Sequence, residues 1–352
     1  MPPTASRPVR LWDMVDGPVP RGVLGLGDPN VHVVDGRTTM FLGGFSTTFR
    51  NRLYTAVLDD GADPATGPWR VETDDRRRAQ PLVADPPRHA WDGAGMHTPS
   101  YVPAVADRPA RVYYTGRSSR KQYGATSRYA IGALELVDGQ WRRLDGPLVR
   151  GDSERGSVLE PRVVHDGRQY LMWFQANPYE MGPGDPPDHE LRVARSDDGV
   201  TWSAPQVFAS TDEAFFDNAL ARTRDGWLMV LSRSADLHGT GGFPPQGLWV
   251  ATADTPSPDR DDWSEPVHVL RTDDPGTPAW LARGTYGPGV LHTDEGRSVV
   301  FATAVRTAPR WPRFVAGRLL RGQPVVPAPF YLSVLACELT DVSRSGPTRP
   351  AR

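Results

Sequence analysis

Asp28-Pro29-Asn30-Val31 opens a stretch that returns four more times, as Thr98-Pro99-Ser100-Tyr101, Glu160-Pro161-Arg162-Val163, Asp217-Asn218-Ala219-Leu220 and Gly287-Pro288-Gly289-Val290. In each copy a polar or small residue precedes proline or another short residue, and an apolar strand follows. The copies start 57 to 70 residues apart, and three of the five carry a carboxylate at the matching place. Repetition at that period signals a radial or stacked architecture. A ring of such repeats brings the three acids to one point.

Outward from each phrase the same elements recur. The first strand ends at a turn such as Asp35-Gly36, Asp166-Gly167 or Asp225-Gly226, dipeptides that favour the positive φ of tight hairpins. A second strand returns, a loop of variable length follows, and a third strand leads through a polar turn to a tryptophan heading a fourth: Trp69, Trp141, Trp202 and Trp263. Four antiparallel strands per unit, five times over, predict an all-β five-bladed β-propeller. The blades span about 28–75, 97–147, 159–210, 216–271 and 285–342 within one domain, 1–342. A pair of β-sandwiches leaves the phase-locked tryptophans unexplained, and packing between blades is the role expected of them. The fifth repeat runs out after its third strand. The N-terminal stretch at about 8–15, Arg10-Leu11-Trp12-Asp13 at its centre, is expected to pair with the last blade and close the ring, leaving no open edge. Residues 343–352 read as a disordered tail.

Composition agrees with this fold class: 35 Gly and 36 Pro among 352 residues suit many short strands and turns. With 40 basic against 42 acidic residues there is no bulk field for nucleic acid or a membrane surface, and no apolar run is long enough to span a bilayer. The single Cys337 cannot form an internal disulfide, which suits a reducing, cytoplasmic setting.

In a propeller the first strand of each blade lines the central channel, so the five phrases share one end of it. The loops 44–52, 116–128, 175–190, 232–247 and 305–329 rise around that same mouth, where binding determinants concentrate. Two are basic: Arg117, Arg120, Lys121 and Arg128 in one, and Arg306, Arg310, Arg313, Arg318 and Arg321 in the other. They suit an anionic group, or are solvated surface charge. Residues 314–320 are expected to form a short helix over the pocket.

Carboxylates converging on a pocket are what glycosidic bond cleavage requires, one ionised as base or nucleophile and another holding a proton for the leaving oxygen. A single such acid would be read as a cap on backbone N–H groups; three in register point to chemistry. The chain resembles the five-bladed propeller glycoside hydrolases, the superfamily of families 43 and 62 and of 32 and 68, over residues 8–342. Asp28-Pro29-Asn30 is similar to the blade-one motif carrying the base or nucleophile. Leu159-Glu160-Pro161 resembles the blade-three motif carrying the general acid. The hairpin Ser196-Asp197-Asp198-Gly199-Val200-Thr201-Trp202 is also common in these propellers.

Two departures stand out. Where relatives place a second aspartate in blade two, this chain has Thr98 and Ser100. Where family 43 often has a histidine after the blade-five Gly-Pro-Gly, it has Val290, and neither a metal nor another cofactor is expected. The resemblance implies a glycoside hydrolase-like enzyme acting on a small glycoside or oligosaccharide, with Asp28, Glu160 and Asp217 catalytic. His97, Thr98, Ser100, Arg117, Arg162 and Tyr286 are the candidate substrate contacts. Arg162 lies two residues past Glu160, on the same face by strand alternation; an ion pair and a substrate contact are both open to it. Two alternatives stay open: a repurposed propeller catalysing cyclisation or elimination on a small, anionic metabolite, and a non-catalytic carbohydrate-binding propeller.

Overall fold

The computed structural model describes residues 3–119, 128–178, 185, 188–325 and 331–340. Arg120, Lys121 and the expected tail 343–352 lie outside them. The architecture is all-β, with one α-helix, Trp311–Leu320, and a short 3-10 turn at Arg260–Asp262. Each of the first four repeats folds as four antiparallel strands, paired in chain order. The first repeat runs Val23–Val34, Arg37–Ser46, Asn51–Asp63 and Gly67–Val71. The second runs Gly95–Val102, Arg111–Arg117, Tyr129–Val137 and Gln140–Arg143, joined to the first by one parallel pair, Asn51 opposite Gly95. The third comprises Ser157–His165, Tyr170–Asn177, Glu190–Ser196 and Gln206–Ala209. The fourth comprises Phe215–Thr223, Gly226–Arg233, Gly247–Ala253 and Val267–Arg271.

The fifth repeat supplies only three strands, Thr285–His292, Ser298–Arg306 and Tyr331–Thr340. Its outer strand pairs with the N-terminal strand Val9–Asp13, Val9 opposite Ala336 and Asp13 opposite Ser333. A further pair, Thr4 with Thr340 and Ala5 with Leu339, extends this cover beyond the expected segment. An outer edge that would otherwise expose its backbone groups is thereby covered.

Alternation along each second strand gives it two apolar faces, and five hydrophobic clusters result. Each joins neighbouring repeats: one with two through Phe41 and Tyr114, two with three through Tyr113 and Phe174, three with four through Trp173 and Met229. Leu248 and Val300 join four with five, and Phe301 and Leu42 join five with one. The tryptophans of the first four repeats lie edge-on to an aromatic of the preceding one: Trp69 on Phe301, Trp141 on Phe41, Trp202 on Tyr113 and Trp263 on Phe208. Trp202 and Trp263 do not head strands, however. Their fourth strands begin four residues later, at Gln206 and Val267.

The recurring phrase lies inside the first strand and not at its start, because each strand begins two to five residues before it. The expected long loop 44–52 is short, its flanking strands ending at Ser46 and resuming at Asn51. The helix in the last loop starts at Trp311, with Pro312 in its first turn, three residues ahead of expectation.

Several arginines assigned to the rim are internal struts. Arg306 is buried and pairs with Asp13 at 2.9 Å and Asp16 at 3.1 Å. Arg318 donates to the Leu24 carbonyl and to Gln323 Oε1, and Arg321 donates to the Val15 carbonyl. Asp13 also accepts from Ser333 and from the Val15 and Asp16 amides, so one buried carboxylate ties the N-terminal strand to the last repeat. Removing one member of a buried pair strands the other, at a cost of about 3–5 kcal/mol. Asp13→Ala is expected to lower unfolding stability by that order in urea titration, whereas Arg313→Ala, exposed on the helix, is expected to change it by less than about 0.5 kcal/mol.

Candidate active site

At four of the five phrases the first strand carries a two-residue bulge against its neighbour. The register breaks between Gly27 and Asn30, His97 and Ser100, Leu159 and Arg162, and Tyr286 and Gly289. The bulged residue before each proline is left-handed: Asp28 (φ 53°), Thr98 (φ 52°), Glu160 (φ 57°) and Gly287 (φ 55°). For a β-branched residue such as Thr98 that conformation is a genuine outlier, and it persists only where the surroundings enforce it.

The enforcement comes from the neighbouring repeats. Each bulged amide finds an acceptor in the repeat before it: Asp28 N donates to Thr303 Oγ1 at 2.6 Å, and Glu160 N to Thr115 Oγ1 at 3.0 Å. Two of the acids serve as acceptors themselves. The Thr98 amide donates to the Asp28 carboxylate, and the Gly287 amide donates to Asp217 Oδ2. These geometries explain three glycine positions. A Cβ on Gly43 would sit 2.7 Å from Asp28 Oδ2, so the carboxylate occupies the space a side chain would fill. Cβ atoms on Gly287 and Gly289 would lie 2.8 Å from Asp28 Oδ1 and 2.2 Å from the Pro29 carbonyl oxygen. The fifth repeat is therefore bare where the first repeat's acid and proline press against it.

The fourth repeat departs from the pattern. It has no proline, its bulge is the single residue Phe216, and Asp217 pairs directly with Ser232. Ser232 Oγ donates to Asp217 Oδ1, so both Asp217 oxygens are engaged. Asp28 keeps Oδ1 unpartnered and Glu160 keeps Oε2 unpartnered. The three acids are buried, and their charges act on one another.

Burial is the largest influence on all three ionisations. It pushes Asp28 up to about 6, against the Arg162 charge and the hydrogen bonds from Thr98 and Thr303. Asp217 rises to about 7, with Ser232, Gly287 and Arg162 opposing. Glu160 is driven well above the usual carboxylate range, by burial first and then by the charges of Asp28 and Asp217. Only Arg162 opposes that rise. The arrangement separates a proton holder, Glu160, from two acids whose ionised forms receive N–H or O–H donors.

Arg162 is the cation at the centre of this set. Its Nε donates to the Asn218 carbonyl at 2.9 Å and its Nη1 to the Pro99 carbonyl at 3.0 Å, tying repeats two, three and four together. Its Nη2 is unpartnered. Ser100 Oγ accepts from Val163 N at 2.9 Å, joining repeats two and three, and Thr98 Oγ1 lies 2.5 Å from Thr115 Oγ1 within repeat two, so both hydroxyls are taken up inside the protein. The His97 ring lies edge-on to Tyr129, and burial, followed by the Arg117 charge, lowers its pKa to about 3. It is neutral across the physiological range. Arg117 closes the second strand of its repeat, buried, with Nε unpartnered. Tyr286 meets Phe216 edge-on, and Phe216 in turn meets His189.

Several neighbours of the acids carry no motif. Asn30 Oδ1 accepts from Tyr101 N at 2.8 Å and lies 2.8 Å from His32 Nε2. Gln175, Asn177 and Asn218 are buried, and among the described residues neither amide atom of any of them has a partner. Two of these were findable: in Tyr170-Leu171-Met172-Trp173-Phe174-Gln175-Ala176-Asn177 the only amides fall two residues apart on one face of an apolar strand.

Comparison with solved structures places this scaffold. An α-L-arabinofuranosidase from Lactobacillus brevis superposes with a TM-score of 0.60 at 10% identity, covering 93% of this chain and 91% of that one. A family 62 arabinofuranosidase from Podospora anserina, solved with cellotriose, gives 0.57 at 13% over 95% and 96%. Fructan 1-exohydrolase IIa from Cichorium intybus gives 0.57 at 14% over 92% of this chain and 57% of that one. The fold is that of the propeller glycoside hydrolases. No family model matches the sequence. Two uncharacterised Mycobacterium tuberculosis proteins, one from each of two strains, are 30% identical over 149 residues, 41% of this chain and 47% of theirs, so the match spans about half the length of those relatives. Thr98 and Ser100, expected to stand in place of a second-repeat aspartate, are each already bonded within the protein.

Raised carboxylate pKa values make the folded protein hold protons that the unfolded chain releases. The Asp28 contribution to stability is full below about pH 4 and is lost as pH rises through about 6. His32, His97 and His189, held neutral by burial, push the opposite way, but their contributions cancel between wild type and Asp28→Asn. Between pH 4 and 8 the stability of wild type relative to Asp28→Asn is expected to fall by on the order of 3 kcal/mol. Urea unfolding of both proteins across that range checks it, and a difference that stays flat would contradict the raised Asp28 value.

Proposed function

We propose that the chain is a five-bladed propeller enzyme of glycoside hydrolase type, cleaving a glycosidic bond in a small glycoside or oligosaccharide. The five clusters linking repeat one to two, and so on back to one, support the closed ring of five blades. One observation carries the chemistry: three buried acids from separate repeats, each with a different set of partners, act on one another around a single guanidinium.

Glu160 is the general acid. Its carboxyl receives no hydrogen bond from the protein at Oε2 and stays protonated next to two carboxylates. Asp28, with Oδ1 unpartnered and Oδ2 held over Gly43, is the base or nucleophile. Asp217, bonded at both oxygens, orients the fifth repeat's backbone and raises the Glu160 pKa by its charge. A cytoplasmic setting is part of the proposal; the one cysteine, Cys337, is buried and unpaired, which suits a reducing compartment. Among the described residues no helix is long and apolar enough to cross a membrane.

A second reading draws on Arg162. Its unpartnered Nη2, together with the missing acid in the second repeat, favours an acid–base step such as elimination on a small anionic metabolite. A panel of aryl arabinofuranosides, xylosides and fructofuranosides, run beside anionic metabolites, separates the two readings by product.

On a hydrolysed glycoside, Asp28→Asn and Glu160→Gln are each expected to lower kcat/KM at least about 10²-fold. A dinitrophenyl glycoside, whose leaving group departs without a proton, should largely spare Glu160→Gln and not Asp28→Asn. The wild-type profile should rise through about pH 6 as the Asp28 side of the coupled set ionises. It should fall at higher pH as Glu160 loses its proton, and Glu160→Gln should remove that second limb. Unimpaired turnover in both variants would sink the assignment.

A further inference from the structure

The second strand of each repeat places one residue in the ladder beside the bulge: Gly43, Thr115, Gln175, Ser232 and Thr303. Four of the five have a settled task. Gly43 makes room for the Asp28 carboxylate, Thr115 and Thr303 accept the Glu160 and Asp28 amides, and Ser232 donates to Asp217. Gln175 is the exception. It is 1% exposed, pairs across the ladder with Leu159 next to Glu160, and has neither amide atom bonded.

Asn177 repeats the anomaly two residues further along the same face, fully buried and opposite Ser157, again with both amide atoms unbonded. That face, shared with Leu171 and Trp173, looks towards the fourth repeat, where Asp217 lies. Native interiors rarely leave a buried amide without partners, so two adjacent ones mark a place where something else supplies the bonds. Each amide offers donors and an acceptor side by side, which matches a pair of neighbouring hydroxyls, each able to give and take. Charge narrows the ligand further. Arg162 is the guanidinium that acts on all three acids, so once Asp28 and Asp217 ionise two negative charges face one positive charge and this side of the pocket disfavours an anion.

We propose that Gln175 and Asn177 form the hydroxyl-binding wall of the pocket and hold adjacent hydroxyls of a neutral sugar ring beside Glu160. The inference rests on the glycoside assignment above and names its substrate class. Its test uses no turnover. L-Arabinose, D-xylose and D-fructose, with D-glucuronate and inorganic phosphate as anionic comparators, are titrated into the catalytically silent Asp28→Asn protein by saturation-transfer NMR. The same titrations are made with Gln175→Met and Asn177→Leu added singly to it.

At least one neutral sugar is expected to bind, with affinity at least 10-fold weaker in each added variant, while the unliganded melting temperature holds or rises because orphaned polar atoms are removed. Lost stability with sugar binding intact would show the amides to be structural and overturn the proposal. Binding of only the anionic probes, or of no probe, would overturn it as well. Because binding is read in a silent variant, these outcomes stay separate from the activity tests of Asp28 and Glu160.

Discussion

The left-handed bulge ahead of each proline is the constraint on which the rest of this structure depends. A bulge turns one amide out of its own ladder, and a buried amide needs an acceptor. Here the acceptor comes from the adjoining repeat: Thr303 for Asp28, Thr115 for Glu160, the Asp28 carboxylate for Thr98 and the Asp217 carboxylate for Gly287. The contacts that fix neighbouring repeats to one another therefore also fix the acids. Two of them cannot leave their positions without leaving a neighbouring backbone unsatisfied, which pre-organises the site at the level of the main chain.

This dual duty differentiates three chemically similar side chains. An acid that receives N–H donors is stabilised when charged, and one that receives none is stabilised when neutral. Asp217 has two donors, Asp28 has the Thr98 amide, and Glu160 has only the distant help of Arg162 against two like charges. Division into proton holder and proton acceptor thus follows from which carboxylate serves the backbone. The hydroxyls of Thr98 and Ser100, in the repeat that lacks an acid, are likewise taken up by Thr115 and Val163.

The repeat phrase made the fold legible because proline after a polar residue, followed by an apolar strand, is rare enough to count. Strand order, the tryptophans' packing on the preceding repeat and the borrowed N-terminal strand all follow from that period. What the phrase hid was position. A bulge in mid-strand leaves no local mark, so the phrase looked like a strand start, and Asp217, with no proline beside it, looked equivalent to Asp28 when its register is different. The arginines of the last loop read as surface because their partners, Asp13 and the Leu24 and Val15 carbonyls, lie some 300 residues away. Gln175 and Asn177 left only a faint mark, two amides on one face of an apolar strand, which acquires meaning only against the four equivalent positions that are already occupied.

Stability and chemistry pull apart within this molecule. Near the channel it concentrates costs: Thr98 with positive φ, three acids whose burial opposes ionisation, and amides without partners. Away from the channel it concentrates gains. Five apolar clusters, aromatic edges such as Trp69 on Phe301 and Trp263 on Phe208, and the buried Asp13–Arg306 ion pair occupy the spaces between repeats. The segregation is itself informative. A scaffold with no ligand to hold would gain by replacing Gln175 with an apolar residue of similar volume, since burying unpaired polar groups opposes folding. Glu160, the acids that act on it and Gln175 beside Leu159 put several of these costs in one place, and the apolar clusters between the repeats supply the packing that offsets them.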